Sequence, residues 1–195
     1  DVERSRGLGD VYKRQLVDNY GKEMTGDRLA ETWELSCHPD GPSFVDNGED
    51  AGKTLRQYIE KHGKKVLGTN CERFEDFPIL TKFIDAQDNL SIQVHPDNEY
   101  ALKNEGQYGK TEMWYVVDAE EGACLYHGFN REISKDEFAK RIEEDTLLEV
   151  LNKVPVHKGD VFFIEAGTIH AIGKGLIIAE IQQNSNVTYL SLIHI

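Results

Sequence analysis

The chain has 195 residues, of which 39% are apolar, and a formal net charge of -13. That is enough apolar material for the packed core of one domain, or one and a part, and it excludes a disordered polymer. The acid excess disfavours nucleic acid and anionic membrane, which need a basic surface, but not a small anionic substrate, which needs only a few local cations.

Cys37, Cys71 and Cys124 are odd in number and lack a framework spacing, so they read as reduced thiols. No apolar run approaches the roughly 20 residues of a membrane span, and the charged start has no apolar signal core. Together these lead to the expectation of a cytoplasmic protein.

In chain order, residues 1–15 show no clear period, and 190–195 are a short apolar stretch without cap or turn. Both are expected to be non-native, a leader and a tail around a domain at 16–189. Residues 31–37 alternate as a strand, with Trp33, Leu35 and Cys37 on one side. Thr54 and Gln57 form a capping box for a helix ending near Gly63. Residues 78–85 and 90–94 read as strands around the turn 85–89. Asp97 caps a short helix ending at Gly106.

Residues 111–117 and 123–129 are strands joined by the turn 118–122. Ser134 and Glu137 form a second capping box, for a helix broken near Asp145. A turn at 158–160 leads to apolar strands at 161–164 and 176–181. Many short strands without βαβ alternation predict a mainly β sandwich or barrel, with the helices as insertions.

Three segments carry chemistry. In the run 90–96, Ser91, Gln93 and His95 share one strand face; alone, this reads as an ordinary solvated face. In 109–117, Lys110, Glu112 and Trp114 share a face, a common pattern by itself. In 159–170, an apolar strand and a glycine turn present His170 at a barrel mouth, where ligand sites form. Taken together, Gln93, His95, Glu112 and His170 offer an amide oxygen, two imidazoles and a carboxylate. That set, with room for water, suits one zinc ion in an open, reactive site. His38, His62, His127, His157 and His194 lack partners at useful spacing and read as surface or packing residues.

The stretch 159–174 resembles the second cupin motif, and 93–95 the first with its leading histidine changed. The strings Leu90-Ser-Ile-Gln-Val-His-Pro-Asp97, Gly109-Lys-Thr-Glu-Met-Trp-Tyr115, Ala166-Gly-Thr-Ile-His-Ala-Ile172 and Glu180-Ile-Gln-Gln-Asn-Ser185 resemble those of the type I mannose-6-phosphate isomerases. That resemblance spans residues 16–189. It implies a cupin-type jelly-roll barrel with helical insertions, and zinc on Gln93, His95, Glu112 and His170. It implies Lys110 and Glu180 as the acid–base pair, with Lys82, Ser91 and, less directly, Glu31 around the substrate. The reaction implied is proton transfer between C1 and C2 of mannose 6-phosphate through a cis-enediol, giving fructose 6-phosphate. A lysine beside a dication should have a lowered pKa, which suits that work.

The rivals are a metal-dependent cupin dioxygenase, disfavoured by Gln93 and by the Lys110 spacing, and a non-catalytic sugar-phosphate-binding cupin. The partner expected is a small sugar phosphate, with no nucleic acid or membrane, and the chain is expected to be a monomer. The family's C-terminal barrel has no counterpart here, and Leu190 stands where the family continues with an arginine. The resemblance therefore implies an incomplete catalytic domain with little or no activity by itself.

Overall fold

The computed structural model describes residues 15–22, 29–74 and 76–190. Most of the two stretches expected to be non-native, 1–14 and 191–195, lies outside the described residues. In chain order the elements are a short helix α1 (Gln15–Asp18), strand β1 (Glu31–Leu35), helix α2 (Leu55–His62), strands β2 (Ile79–Ala86) and β3 (Gln93–Val94), and helix α3 (Asn98–Asn104). Then come β4 (Glu112–Ala119), β5 (Cys124–Phe129), α4 (Lys135–Glu143), β6 (Leu151–Pro155), β7 (Val161–Ile164), β8 (His170–Ile172), β9 (Leu176–Gln183) and β10 (Tyr189–Leu190).

The strands make two five-stranded antiparallel sheets, ordered β1-β2-β9-β4-β7 and β10-β3-β8-β5-β6. This is the mainly β, double-sheet jelly-roll architecture expected from the sequence. Alternation along each strand sends one set of side chains between the sheets. In β9 this buries Ile178, Glu180 and Gln182 while Ala179, Ile181 and Gln183 are only partly covered.

Two apolar clusters result. Ile84, Trp114, Val116, Leu125, Ile164, Ile172 and Ile178 fill the space between the sheets. A second cluster, with Ile92, Leu147, Val150, Leu151, Ile169 and Ala171, packs against Phe138 and Ile142 of α4. No helix among the described residues is long and apolar enough to cross a membrane.

Local chemistry explains the helix boundaries. Thr54 caps α2 with the reciprocal Gln57 bond, and Gly63 leaves the helix at φ 77°. Ser134 caps α4 through the Glu137 amide. The second half of that capping box is not made, because the Glu137 carboxylate is taken by Arg131. Asp145 follows with φ 55° and stops the helix.

The structure also corrects the strand readings. Leu35 turns outward to 39% exposure because the β1–β2 register shifts between Trp33 and Leu35; such a bulge reverses the side-chain parity beyond it. Of 90–94, only Gln93 and Val94 join a ladder; the Leu90 amide instead bonds the Ile172 carbonyl. Strands β6, β8 and β10 were not anticipated. β10 pairs Tyr189 with Val94 and Leu190 with Gln93, so Leu190 is the second residue of a strand.

Ile178 is fully buried in β9, the central strand of its sheet. Ile178→Ala is expected to cost about 2–5 kcal/mol by removing packed volume. Phe163→Ala, at a position 60% exposed on edge strand β7, should cost within about 0.5 kcal/mol of nothing. Denaturant midpoints at unchanged slope measure both; equal costs would contradict a core lying between the sheets.

Candidate metal centre

Registry across the first sheet aligns its inward polar groups in two rows. One runs Trp33, Lys82, Glu180, Trp114, Phe162 across β1, β2, β9, β4 and β7. The next holds Leu80, Gln182, Glu112 and Ile164. In the second sheet Gln93 of β3 lies opposite His170 of β8, and His170 opposite His127 of β5. Directly opposed residues point to the same face. His95 follows β3 and is buried. The two sheets therefore bring His95, Glu112 and His170 together, three buried residues whose candidate ligand atoms lie within 4.8 Å of one another.

Backbone carbonyls set both imidazoles. Nδ1 of His95 lies 3.0 Å from the Val187 carbonyl, and Nδ1 of His170 lies 2.8 Å from that of Thr168. A carbonyl only accepts, so each Nδ1 carries the proton and each Nε2 presents a lone pair. These Nε2 atoms point at Glu112, His95 to Oε2 at 3.6 Å and His170 to Oε1 at 3.3 Å.

Burial, then Lys110, pushes His95 down to about 2. Burial holds His170 down to about 4 against the opposing Thr168 carbonyl. Both rings are therefore neutral at pH 7 and fit to ligate. Burial and the Glu180 charge push Glu112 up to about 7, against the pull of Lys110.

Lys110 completes the cluster. Its ammonium lies 2.5 Å from Glu112 Oε2, 3.1 Å from His95 Nε2 and 3.5 Å from Glu180 Oε1. Burial alone would lower it, but Glu180 and Glu112 outweigh that and hold it above its ordinary value. The lowering expected beside a dication is thus not a property of the protein groups alone. Just before Lys110, Gly109 packs directly against the 96–98 backbone, where a Cβ would sit 2.4 Å from the Asp97 carbonyl carbon.

Burial would raise Glu180, but Lys110 and Lys82 reverse this and hold it down to about 2. Its Oε2 accepts from the Trp114 indole at 3.0 Å. Lys82 sits 3.6 Å from Glu180 and 3.8 Å from Glu31, with its ammonium over the Trp33 ring at 5.1 Å. Glu31 in turn accepts from the Trp33 indole at 2.9 Å.

A divalent metal fits this donor set. Glu112 Oε1 and His170 Nε2 are buried, face each other and have no hydrogen-bond partner. Two facing acceptors call for a cation between them, and the chain's own ammonium already lies against the other pair, His95 Nε2 and Glu112 Oε2.

Of the residues singled out in sequence, Glu31, Lys82, His95, Lys110, Glu112, His170 and Glu180 form one connected group. Gln93 is half-buried and shares the face of His170. Ser91 is exposed, and no contact joins it to the group. Three contributors were missed: the Trp33 ring beneath Lys82, the Trp114 indole on Glu180, and the Val187 carbonyl on His95. Trp33 and Trp114 carried a signal, since each shares strand parity with an acidic residue two positions before it. The carbonyl carried none.

A family described as "Phosphomannose isomerase type I, catalytic domain" matches residues 12–128. The mannose-6-phosphate isomerase of Streptococcus mutans is 43% identical over 175 residues, 90% of this chain and 54% of that protein. The crystal structure of the mannose 6-phosphate isomerase from Bacillus subtilis matches with a TM-score of 0.84 at 38% identity, over 91% of this chain and 55% of that one. A mannose 6-phosphate isomerase solved with zinc bound shares the fold, with a TM-score of 0.67 at 20% identity over 90% of this chain and 65% of that one. The chain spans about half the length of the curated relatives it matches.

His95→Ala and His170→Ala are each expected to lower zinc content in folded protein, read by metal analysis after dialysis; full stoichiometry in both would remove these residues as ligands. Zinc affinity should also depend on pH with a definite sign. A proton on Glu112 competes with the metal, so affinity falls as pH drops through about 7, while the histidines add nothing until pH nears 4. Titrations between pH 5 and 8 that give a flat affinity would contradict the raised carboxyl.

Proposed function

This chain belongs to the type I phosphomannose isomerase family, and on that footing we propose that it carries the active site of a zinc-dependent aldose–ketose isomerase acting on mannose 6-phosphate and fructose 6-phosphate. The observation that carries the proposal is the placement of Lys110 within 3.5 Å of Glu180 and against the His95–Glu112 pair, all of them buried. An acid, a base and a metal-ligand set meet there in one water-poor space.

Two imidazoles and a carboxylate suit zinc as well as iron(II), and the Gln93 amide oxygen as fourth donor is what favours zinc; bound there, it would supply Lewis-acid polarisation of the sugar oxygens. His95, Glu112, His170 and Gln93 hold it, one per chain. Lys110 and Glu180 do the proton work. Moving a proton between C2 and C1 through a cis-enediol needs one group to take the carbon proton and one to manage the oxygen protons. Lys110, with Glu180 beside it, offers both partners of such an exchange. In the metal-free cluster Lys110 is held protonated and Glu180 ionised, so one can donate a proton and the other accept one. Burial favours this division, because a displaced proton has few other acceptors.

Lys82, fixed by Glu31, Glu180 and the Trp33 ring, is the interior cation available for the substrate phosphate, and Ser91 is the more peripheral candidate. The segment proposed to carry the site is 16–189, part of a monomeric protein of the cytoplasm whose partner is a small sugar phosphate, without nucleic acid or membrane.

The test uses a chain extended to the length of its relatives, assayed with mannose 6-phosphate and zinc. Lys110→Met should retain the fold and bound zinc and lose turnover by about 10²-fold or more, the scale of a general acid–base group. Near-parent turnover in a zinc-loaded variant would show that Lys110 is structural.

A further inference from the structure

We propose that Ser185 is a positioning residue for the metal site, acting through the Val187 carbonyl on the His95 ring. It rests on the metal reading above but concerns a residue that makes no contact with any ligand atom.

Ser185 is fully buried in the loop between β9 and β10. Its hydroxyl donates to the Tyr108 carbonyl at 2.7 Å and accepts from the Val187 amide at 3.2 Å. Its own carbonyl accepts from the buried Gln182 side chain at 2.7 Å. The loop is tied once more on its outer side, where Asn186 donates to Asp40 at 2.8 Å. These bonds hold the 185–187 backbone so that the Val187 carbonyl faces His95 Nδ1 at 3.0 Å. That contact decides which ring nitrogen carries the proton, and hence whether Nε2 presents a lone pair toward Glu112.

The same hydroxyl grips Tyr108, two residues before Lys110. One side chain thereby joins the backbone behind a ligand to the backbone leading to the lysine. Without the hydroxyl, the Val187 amide and the Tyr108 carbonyl lose a shared partner inside the protein, and the loop must relax to satisfy them. The carbonyl on His95 moves with it.

The experiment compares the parent chain with Ser185→Ala and with Asn186→Ala, which loosens the same loop from its exposed end. Zinc affinity is measured by competition with a chromophoric chelator. The His95 tautomer is read in the metal-free chain from long-range proton–nitrogen correlation spectra at neutral pH. Ser185→Ala should bind zinc 10- to 100-fold more weakly, about the range for groups that orient a metal ligand. Its His95 should shift from a single Nδ1–H form to a mixture. Asn186→Ala should move both readouts the same way by a smaller factor, and it decides the matter if Ser185→Ala does not fold. A folded variant of either kind with parent zinc affinity and an unchanged tautomer overturns the proposal. A parent chain that shows the Nδ1–H tautomer yet binds no zinc overturns the metal reading instead.

Discussion

The rest of the site depends on one buried ammonium. Lys110 lies between Glu112 and Glu180 in the interior, where an isolated charge would cost several kcal/mol. Each carboxylate is tolerable there because the lysine is near, and the lysine because the carboxylates are. Lys82 adds a second cation on the far side of Glu180. Without Lys110, Glu180 would keep Lys82 as its remaining cation, so the charges are constrained as a group rather than pair by pair. That constraint explains why polar residues occupy two inward rows of an otherwise apolar sheet sandwich.

The fold divides its interior to accommodate this. Ile178, Val116, Ile172 and Leu125 supply the dry packing at one end of the sandwich. Two residues further along β9, and at matching register on β2 and β4, the inward positions become Glu180, Lys82 and Trp114. Strand register delivers this division, since a slip by one residue would turn the whole charged row outward. The aromatic residues lie at the boundary. Trp114 meets the His170 ring at 80° and gives its indole N–H to Glu180, while Trp33 lies with its ring under the Lys82 ammonium and gives its indole N–H to Glu31.

The buried polar groups are held by two kinds of support. Lys82, Glu112 and Glu180 stand on three neighbouring strands of the first sheet, rigid against one another through ladder hydrogen bonds. His95 and His170 belong to the second sheet and its loops, and their ring orientations come from backbone carbonyls. The 165–168 turn is itself pinned to the strand end by the Gly167 amide on the His95 carbonyl at 2.7 Å. Loops that present ligands are expected to be held in this way, because they have no ladder of their own.

Much of the site was legible in the sequence by itself. Alternation placed Lys110, Glu112 and Trp114 on one face, and all three are buried. The Thr54 and Ser134 caps were legible because a cap is a contact between near neighbours. What the sequence did not contain is anything that depends on pairing across the sandwich. The bulge that turns Leu35 outward, the two-residue length of β3, the pairing of β10 with it, and the lone Val187 carbonyl on His95 each join segments far apart in the chain. A carbonyl has no residue identity to read, and a strand two residues long has no period. Residue type and spacing determined which groups could act together; only the register between strands decided which atoms meet, because that register is set by packing the whole core.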